Sequence, residues 1–449
     1  MSMNQTQIDG LLSTDRDHII HPYLPATTTE RVVMNAGKDC TLTDIEGREY
    51  LDATGGLWLA QIGHGREAVA KVAAEQISTL EYFTSFWEFS NDKAIQLAAK
   101  LVEISPDNID HVYFTSGGSE GNEAALKMSR YYHYRRGDPD RNWIIARRNS
   151  YHGIAYGGGS LSGFPIYHEG FGPMLPHVAH VTPPWPYRWE LYGEADPTDF
   201  LIAELEETIN NIGPEKIAAM VGEPVMGVGG MLIPPADYWP RVKEVLDRHG
   251  ILLVFDEVVT AYGRVGTWFA AQHFGVEPDI IITAKGITSG YIPLGAVLVS
   301  GRVAEQLGKD HGFPMGYTYN GHPTAAAVAL ENLRIIEEEN LLERAKTIGA
   351  YLHEKLNTLL DLDIVGEVRY VGMMHAVELV ADRGTREPLP MLQPMLPDVI
   401  RRETGVIVRD CGHNLVLSPP LIMTEAEADR CVAAMRSVLI RTTPDGVIH

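Results

Sequence analysis

Seven short apolar runs alternate with helical patterns through the middle of this sequence. The runs fall at 111–115, 143–146, 178–181, 217–221, 251–255, 279–283 and 296–299. Helical patterns lie among and around them at 91–103 and at about 199–211, 237–249 and 323–337. Uninterrupted apolar runs belong to strands covered on both faces. Strands that alternate with helices argue for one doubly wound, mainly parallel sheet of an α/β protein. In such a sheet, ligands bind outside the carboxyl ends of the strands. The residues at which these runs end are therefore the first candidates for chemistry.

The chain ends follow other patterns. Residues 1 to about 35 are polar and then Pro/Thr-rich, which predicts an extended arm with one short helix. Residues 38–52 read as a hairpin turning at Glu46-Gly47. A glycine-rich loop, TGGLWLAQIGHGR at 54–66, carries the bulky Trp58 and leads into a helix at 67–79. Beyond about 340 come a helix at 341–360, short strands at 364–369, 373–380, 406–408 and 414–417, and a helix at 424–440. The expected organisation is an arm and hairpin at 1–60 joining a small α+β domain, a large domain at 61–335, and the rest of the small domain at 336–449. A chain of 449 residues can bury cores of that size.

A net charge of −22 argues against a nucleic-acid partner. No apolar run approaches the roughly 20 residues that span a bilayer. Cys40, Cys411 and Cys431 lie far apart and suit no zinc spacing, and the N-terminus lacks a basic start before an apolar core. The expectation is a cytoplasmic protein with reduced thiols and no metal.

Two strand ends carry a single charge. Asp256 follows 251–255, and Lys285 lies just beyond 279–283. A carboxylate can keep a cofactor's ring nitrogen protonated, and a desolvated lysine is a nucleophile towards an aldehyde. The plain alternative is a buried Lys–Asp ion pair. The turn TSGGSEGN at 115–122 sits between a strand and a helix, so its free N–H groups and the Ser119 hydroxyl suit a phosphate. It is neither a dinucleotide fingerprint nor a P-loop. It does satisfy G-x-S-x-G through Gly117, Ser119 and Gly121, with Asp256 and His311 downstream in the order of an α/β-hydrolase triad. A serine hydrolase built on Ser119 is thus a rival reading. Tyr151, in NSYHG at another strand end, can stack on a flat ring. His152 beside it is either a general base or a hydrogen-bonding partner of the backbone. Glu223, in VGEPV, is a second strand-end carboxylate. Thr318, in GYTYNGHP, offers a hydroxyl and an N–H to phosphate. Arg409, in VRDCG, is either a bidentate clamp for a substrate carboxylate or an ordinary surface arginine.

Together these motifs resemble the class III aminotransferases, pyridoxal-5′-phosphate enzymes of fold type I. They look most like the ω-transaminases that use pyruvate as amino acceptor. The resemblance runs from about Asp15 to the last helix. It is carried by SGGSEGNEAALKM (116–128), SYHG (150–153), GEPVMGVGG (222–230), FDEVVTAYGRVG (255–266), TAKGITSGYIPLGA (283–296), YTYNGHP (317–323) and VRDCGHNLVLSPPLIMT (408–424).

The resemblance implies pyridoxal 5′-phosphate as cofactor. Lys285 would bond its aldehyde and shuttle the proton, and Asp256 would pair with its ring nitrogen. Val258 and Tyr151 would cover the two ring faces, and Gly118 and Ser119 would hold the phosphate. His152 and Glu223 would stand beside the ring. Thr318 would reach the phosphate of a neighbouring subunit, which implies a homodimer or dimer of dimers with shared sites. Trp58, Tyr151 and Arg409 would shape the substrate site for an amine donor and a keto acid acceptor. An aminomutase or decarboxylase on the same scaffold is the alternative.

Ala261, Val265, Gly121 and Asn320 replace residues common in the family, without removing a group the chemistry needs. Val259 stands where the ornithine and 4-aminobutyrate branches usually carry glutamine, which favours the amine or ω-amino acid:pyruvate branch. The hydrolase reading leaves Lys285, Tyr151 and YTYNGHP unused.

Overall fold

The computed structural model describes residues 3–25, 27–392 and 394–449. Met1, Ser2 and Ala26, which fall within the arm expected at 1–35, and Gln393 lie outside the described residues. All seven expected runs form strands of one sheet. They are β1 (Ile109–Thr115), β2 (Trp143–Arg147), β3 (Val178–Val181), β4 (Ile217–Gly222), β5 (Leu252–Asp256), β6 (Ile280–Thr283) and β7 (Gly295–Ser300). The spatial order is β1-β7-β6-β5-β4-β2-β3. Pairing is parallel from β6 through β5, β4 and β2 to β3. Only β7 is reversed, running antiparallel to both β1 and β6.

The side chains explain the layers. Strands β4 to β7 are buried at every residue. Met220, Leu253, Phe255, Ile281 and Leu298 join the core on one face of the sheet. Ala219, Val221, Val254, Ile282 and Val297 join a second core on the other. This is the period-two alternation of a sheet with helices on both sides. The helix Gly118–Arg135 packs so closely that a Cβ at Gly121 would lie 2.6 Å from Ile282 Cγ2. Here, then, the glycine at a position where the family usually has alanine is a packing requirement.

The reversal of β7 shapes the carboxyl edge. A parallel neighbour would need a long crossover. Here the chain turns back at once through residues 284–294, and Lys285 sits in that turn with φ +49°. The turn also keeps the carboxyl end of β1 on the same edge as the ends of β5 and β6.

The two chain ends meet in a small sheet. Met34–Lys38, Thr41–Asp44 and Glu49–Asp52 pair antiparallel, and Glu49–Asp52 pairs in parallel with Val406–Ile407. The first of these strands was not foreseen, because MNAGK is an exposed edge without apolar alternation. A second antiparallel sheet holds Val365–Val371, Met374–Asp382, Asn414–Leu417 and Arg409–Cys411. Helices Leu341–Asn357, Leu396–Thr404 and Glu425–Leu439 accompany these sheets.

A buried ionic network joins this part to the large sheet. Glu378 accepts from Arg188 Nε at 2.8 Å, Arg369 Nη1 at 2.6 Å and Trp185 Nε1 at 3.1 Å. Arg369 also donates to the Gly230 and Met231 carbonyls at 2.6 and 3.1 Å. The loop after β4 is thereby fixed to the strand Met374–Asp382.

Candidate active site

Five segments converge at the carboxyl edge: Gly117–Ser119 after β1, Tyr151–His152 after β2, Glu223 after β4, Asp256 at the end of β5 and Lys285 after β6. Asp256 is 5% exposed. Its Oδ2 accepts from Asn122 Nδ2 at 2.9 Å and pairs with His152 Nδ1 at 2.8 Å. Its Oδ1 accepts the Val258 N–H at 3.2 Å. His152 thus neither acts on the backbone through its ring nor stands free as a base; its imidazole is bound to Asp256.

Lys285 and Asp256 do not touch. Among the described residues no ion pair within 4.0 Å links them, although the Asp256 charge is felt at the ammonium. Burial brings the Lys285 amine down to about 8; Asp256 opposes this and Arg409 reinforces it. Lys285 Nζ lies 5.2 Å from the centroid of the Trp58 ring, and the Arg409 guanidinium lies 4.9 Å from it. Both groups therefore lie against the Trp58 ring. Trp58 is held there by local geometry. Asp52 accepts the Thr54 and Gly56 N–H groups at 3.1 and 2.8 Å and pairs with His64 at 3.0 Å. The resulting turn gives Trp58 a φ of +63°.

Glu223 bridges two walls of the cleft. Its carboxylate accepts the Tyr151 N–H at 3.0 Å and the Gly227 N–H at 2.8 Å, while burial raises its pKa. Behind it, the fully buried Arg147 holds the Glu223 carbonyl. The Tyr151 ring stands edge-on to Tyr167, with centroids 5.2 Å apart. Tyr23, from the N-terminal arm, lies close enough to Tyr167 to help burial push its hydroxyl's pKa up.

The glycine turn is open where an anion would sit. A Cβ at Gly118 would come within 2.9 Å of Val258 Cγ2, so only glycine fits between the helix start and Val258. Gly117, at the N-cap, offers no side-chain acceptor to the first helical N–H groups. Ser119 Oγ receives only the Ile154 N–H, at 3.4 Å. Among the described residues no histidine hydrogen-bonds the Ser119 hydroxyl, and His311 pairs with neither Ser119 nor Asp256, so the triad that a Ser119 hydrolase needs is not assembled.

Thr318 stands apart from this cluster in the single chain. It is exposed, and its carbonyl accepts the Tyr82 hydroxyl at 2.7 Å. The sequence reading gave no role to Asn122, Tyr167 or Tyr23. Asn122 could have been found as a polar residue one turn beyond the glycine turn. The two tyrosines lie in irregular segments without a motif.

A family model for class III aminotransferases matches residues 24–439. The chain belongs to the class III aminotransferases. The putrescine–pyruvate aminotransferase of Pseudomonas aeruginosa is 36% identical over 438 residues, 95% of each chain. A mitochondrial γ-aminobutyrate transaminase 1 of Oryza sativa subsp. indica is also 36% identical, over 93% of this chain and 83% of that one. Among solved structures, a thermostable (S)-enantioselective ω-transaminase from Thermomicrobium roseum superposes with TM-score 0.93 at 43% identity, covering 97% of this chain and 98% of that one. An amine transaminase from an uncultivated Pseudomonas species, in its PLP-bound form, superposes with TM-score 0.90 at 42% identity, covering 93% and 97%.

This class III aminotransferase depends on pyridoxal 5′-phosphate. Its residues fit that group. The glycine-only gap beside Val258 and the uncapped helix start suit a phosphate, and a hydrogen-bonded carboxylate suits a protonated ring nitrogen. Among the described residues, buried His152 Nε2 and Trp58 Nε1 have no partner in this cleft.

Proposed function

We propose that this aminotransferase moves the amino group of an amine or ω-amino acid to pyruvate by a ping-pong mechanism, giving alanine. The observation that carries the acceptor is Arg409. Among the described residues its guanidinium has no carboxylate partner, yet it lies over Trp58 beside Lys285. A planar cation placed there can take a keto acid's carboxylate in a bidentate pair. The putrescine–pyruvate relative agrees with that choice of acceptor.

The bound cofactor supplies an aldehyde for the amine and a ring that accepts electrons. Lys285 Nζ would hold the cofactor through its aldehyde and would move the proton of the donor's amine-bearing carbon. Asp256 keeps the ring nitrogen protonated. Tyr151 and Val258 would hold the ring, and Glu223 fixes Tyr151 through its backbone N–H. Gly118 and Ser119 hold the phosphate, joined by Thr318 of a second subunit. Phe83, Trp87, Phe89 and Tyr319 are 44–84% exposed in the segments around Thr318, an apolar surface that a second copy would cover.

The γ-aminobutyrate transaminase relatives support a second reading, with that ω-amino acid as donor. A panel of amines and ω-amino acids assayed for alanine from pyruvate separates the readings. Arg409→Ala raises the KM for pyruvate about tenfold or more, the worth of a hydrogen-bonded charge pair, and leaves that for an uncharged amine such as 1-phenylethylamine nearly unchanged. No alanine with any donor, or equal effects on both substrates, would refute the proposal.

A further inference from the structure

The helix Gly118–Arg135 turns small, apolar residues such as Ala124, Ala125 and Met128 to the core, with one exception on its first turns. Asn122 is 2% exposed. Asparagine is a poor residue for a helix interior. Its Oδ1 is buried without a hydrogen-bond partner, a cost that an apolar side chain would avoid. The compensation lies on the amide's other side. Nδ2 donates to Asp256 Oδ2 at 2.9 Å and to the Gly118 carbonyl at 3.2 Å.

The distribution of donors on Asp256 is uneven. Among the described residues, Oδ2 meets both Asn122 and His152, whereas Oδ1 accepts only the Val258 N–H. An ionised carboxylate offers about four acceptor positions. Protein donors fill three, and the open one is on Oδ1. Glu223, Glu257 and Lys285 also act on Asp256 through their charges. Asp256 therefore sits among charged neighbours while its hydrogen-bond donors crowd onto Oδ2.

We infer that Asn122 is a positioning residue for the transamination. It orients the Asp256 carboxylate through Oδ2, leaves Oδ1 open for the ring nitrogen, and ties that orientation to the helix turn that begins at Gly118. One helix thus sets both ends of the cofactor, with Gly118 and Asn122 about 6 Å apart along its axis. The inference rests on the reading that Asp256 meets the ring nitrogen.

The test uses holoenzyme carrying Asn122→Leu or Asn122→Asp, reconstituted with pyridoxal phosphate labelled with ¹⁵N in the ring. Both variants remove the donor. The second keeps the side chain's shape and adds a rival acid, so it serves if the first does not fold. The ¹⁵N shift moves towards that of an unprotonated pyridine at neutral pH. The pH midpoint of the cofactor's visible absorbance rises by about one unit, because a ring without its proton no longer repels the proton near Lys285 Nζ. The kcat falls about tenfold, with the KM for pyruvate unchanged. Ser119→Ala, by contrast, weakens cofactor binding without moving the shift or the midpoint. A folded Asn122 variant with the wild-type shift and midpoint overturns the role of Asn122 and leaves that of Asp256 standing. An unprotonated ring nitrogen in the wild type overturns the role of Asp256, and that of Asn122 with it.

Discussion

Lys285 combines two features that single residues seldom share: a left-handed φ of +49° and an amine brought by burial from the ordinary 10.5 to about 8. The backbone conformation is uncommon for a side chain with a Cβ and persists where surroundings over-determine it. The lowered pKa has a sign that can be measured. Burial disfavours the charged form, so the neutral nucleophile is reached at lower pH than for a free lysine. The rate at which the apoenzyme captures pyridoxal phosphate should therefore rise with pH through a midpoint near 8. A midpoint near 10.5 contradicts the burial account. The same shift makes the apoenzyme gain stability as pH rises from about 8 to 10.5, since the unfolded chain retains the proton the folded one has lost. Lys285→Met removes that gain. Asp256 and Lys285 were visible in the sequence because a lone charge after an apolar strand is conspicuous. Asn122 and Tyr167 were not, because their roles come from contacts across 134 and 16 positions of chain.

At the scale of elements, the site is made by strand ends and by one helix start. The strands were legible because these runs are only four to six residues long and rich in β-branched residues, which separates them from a buried helix where periodicity cannot. The reversed β7 was not legible, since an apolar run carries no direction. The reversal nonetheless matters, for it lets the Lys285 turn and the β1 turn share one edge. The glycine turn makes a sharp claim. Adding a methyl group at Gly118 forces overlap with Val258, an overpacking cost of about 1–3 kcal/mol. Gly118→Ala should therefore lower the apoenzyme's melting temperature measurably and weaken pyridoxal phosphate binding about tenfold or more. Equal cofactor affinity in a fluorescence titration contradicts the close approach. The edge strand Met34–Lys38 marks the opposite limit, an element formed by pairing rather than by its own sequence.

At the scale of the whole molecule, two sheets and the chain ends are joined through Glu378. Burial alone would raise its carboxyl, yet His413, Arg369 and Arg188 bring it down to about 2. A depressed carboxylate contributes stability that is full above its ordinary value near 4.5 and lost as pH falls towards 2. Glu378→Gln leaves the buried Arg188 and Arg369 with only the more exposed Glu190 and Glu367 as anions, a loss of about 3 kcal/mol. Denaturant unfolding at pH 7 checks that figure, and the variant's acid-induced loss of stability should be smaller than the wild type's. The joining of both chain ends into small sheets was expected from the patterns at 38–52 and beyond 340, whereas the ionic junction was not, since its members are scattered from Trp185 to His413. The chemistry depends on the identity of the lysine. Borohydride treatment of the holoenzyme, followed by peptide mapping, should place a stable pyridoxyl group on Lys285 and nowhere else. A pyridoxyl group on another lysine, or a fluorophosphonate adduct on Ser119 in its place, would contradict it.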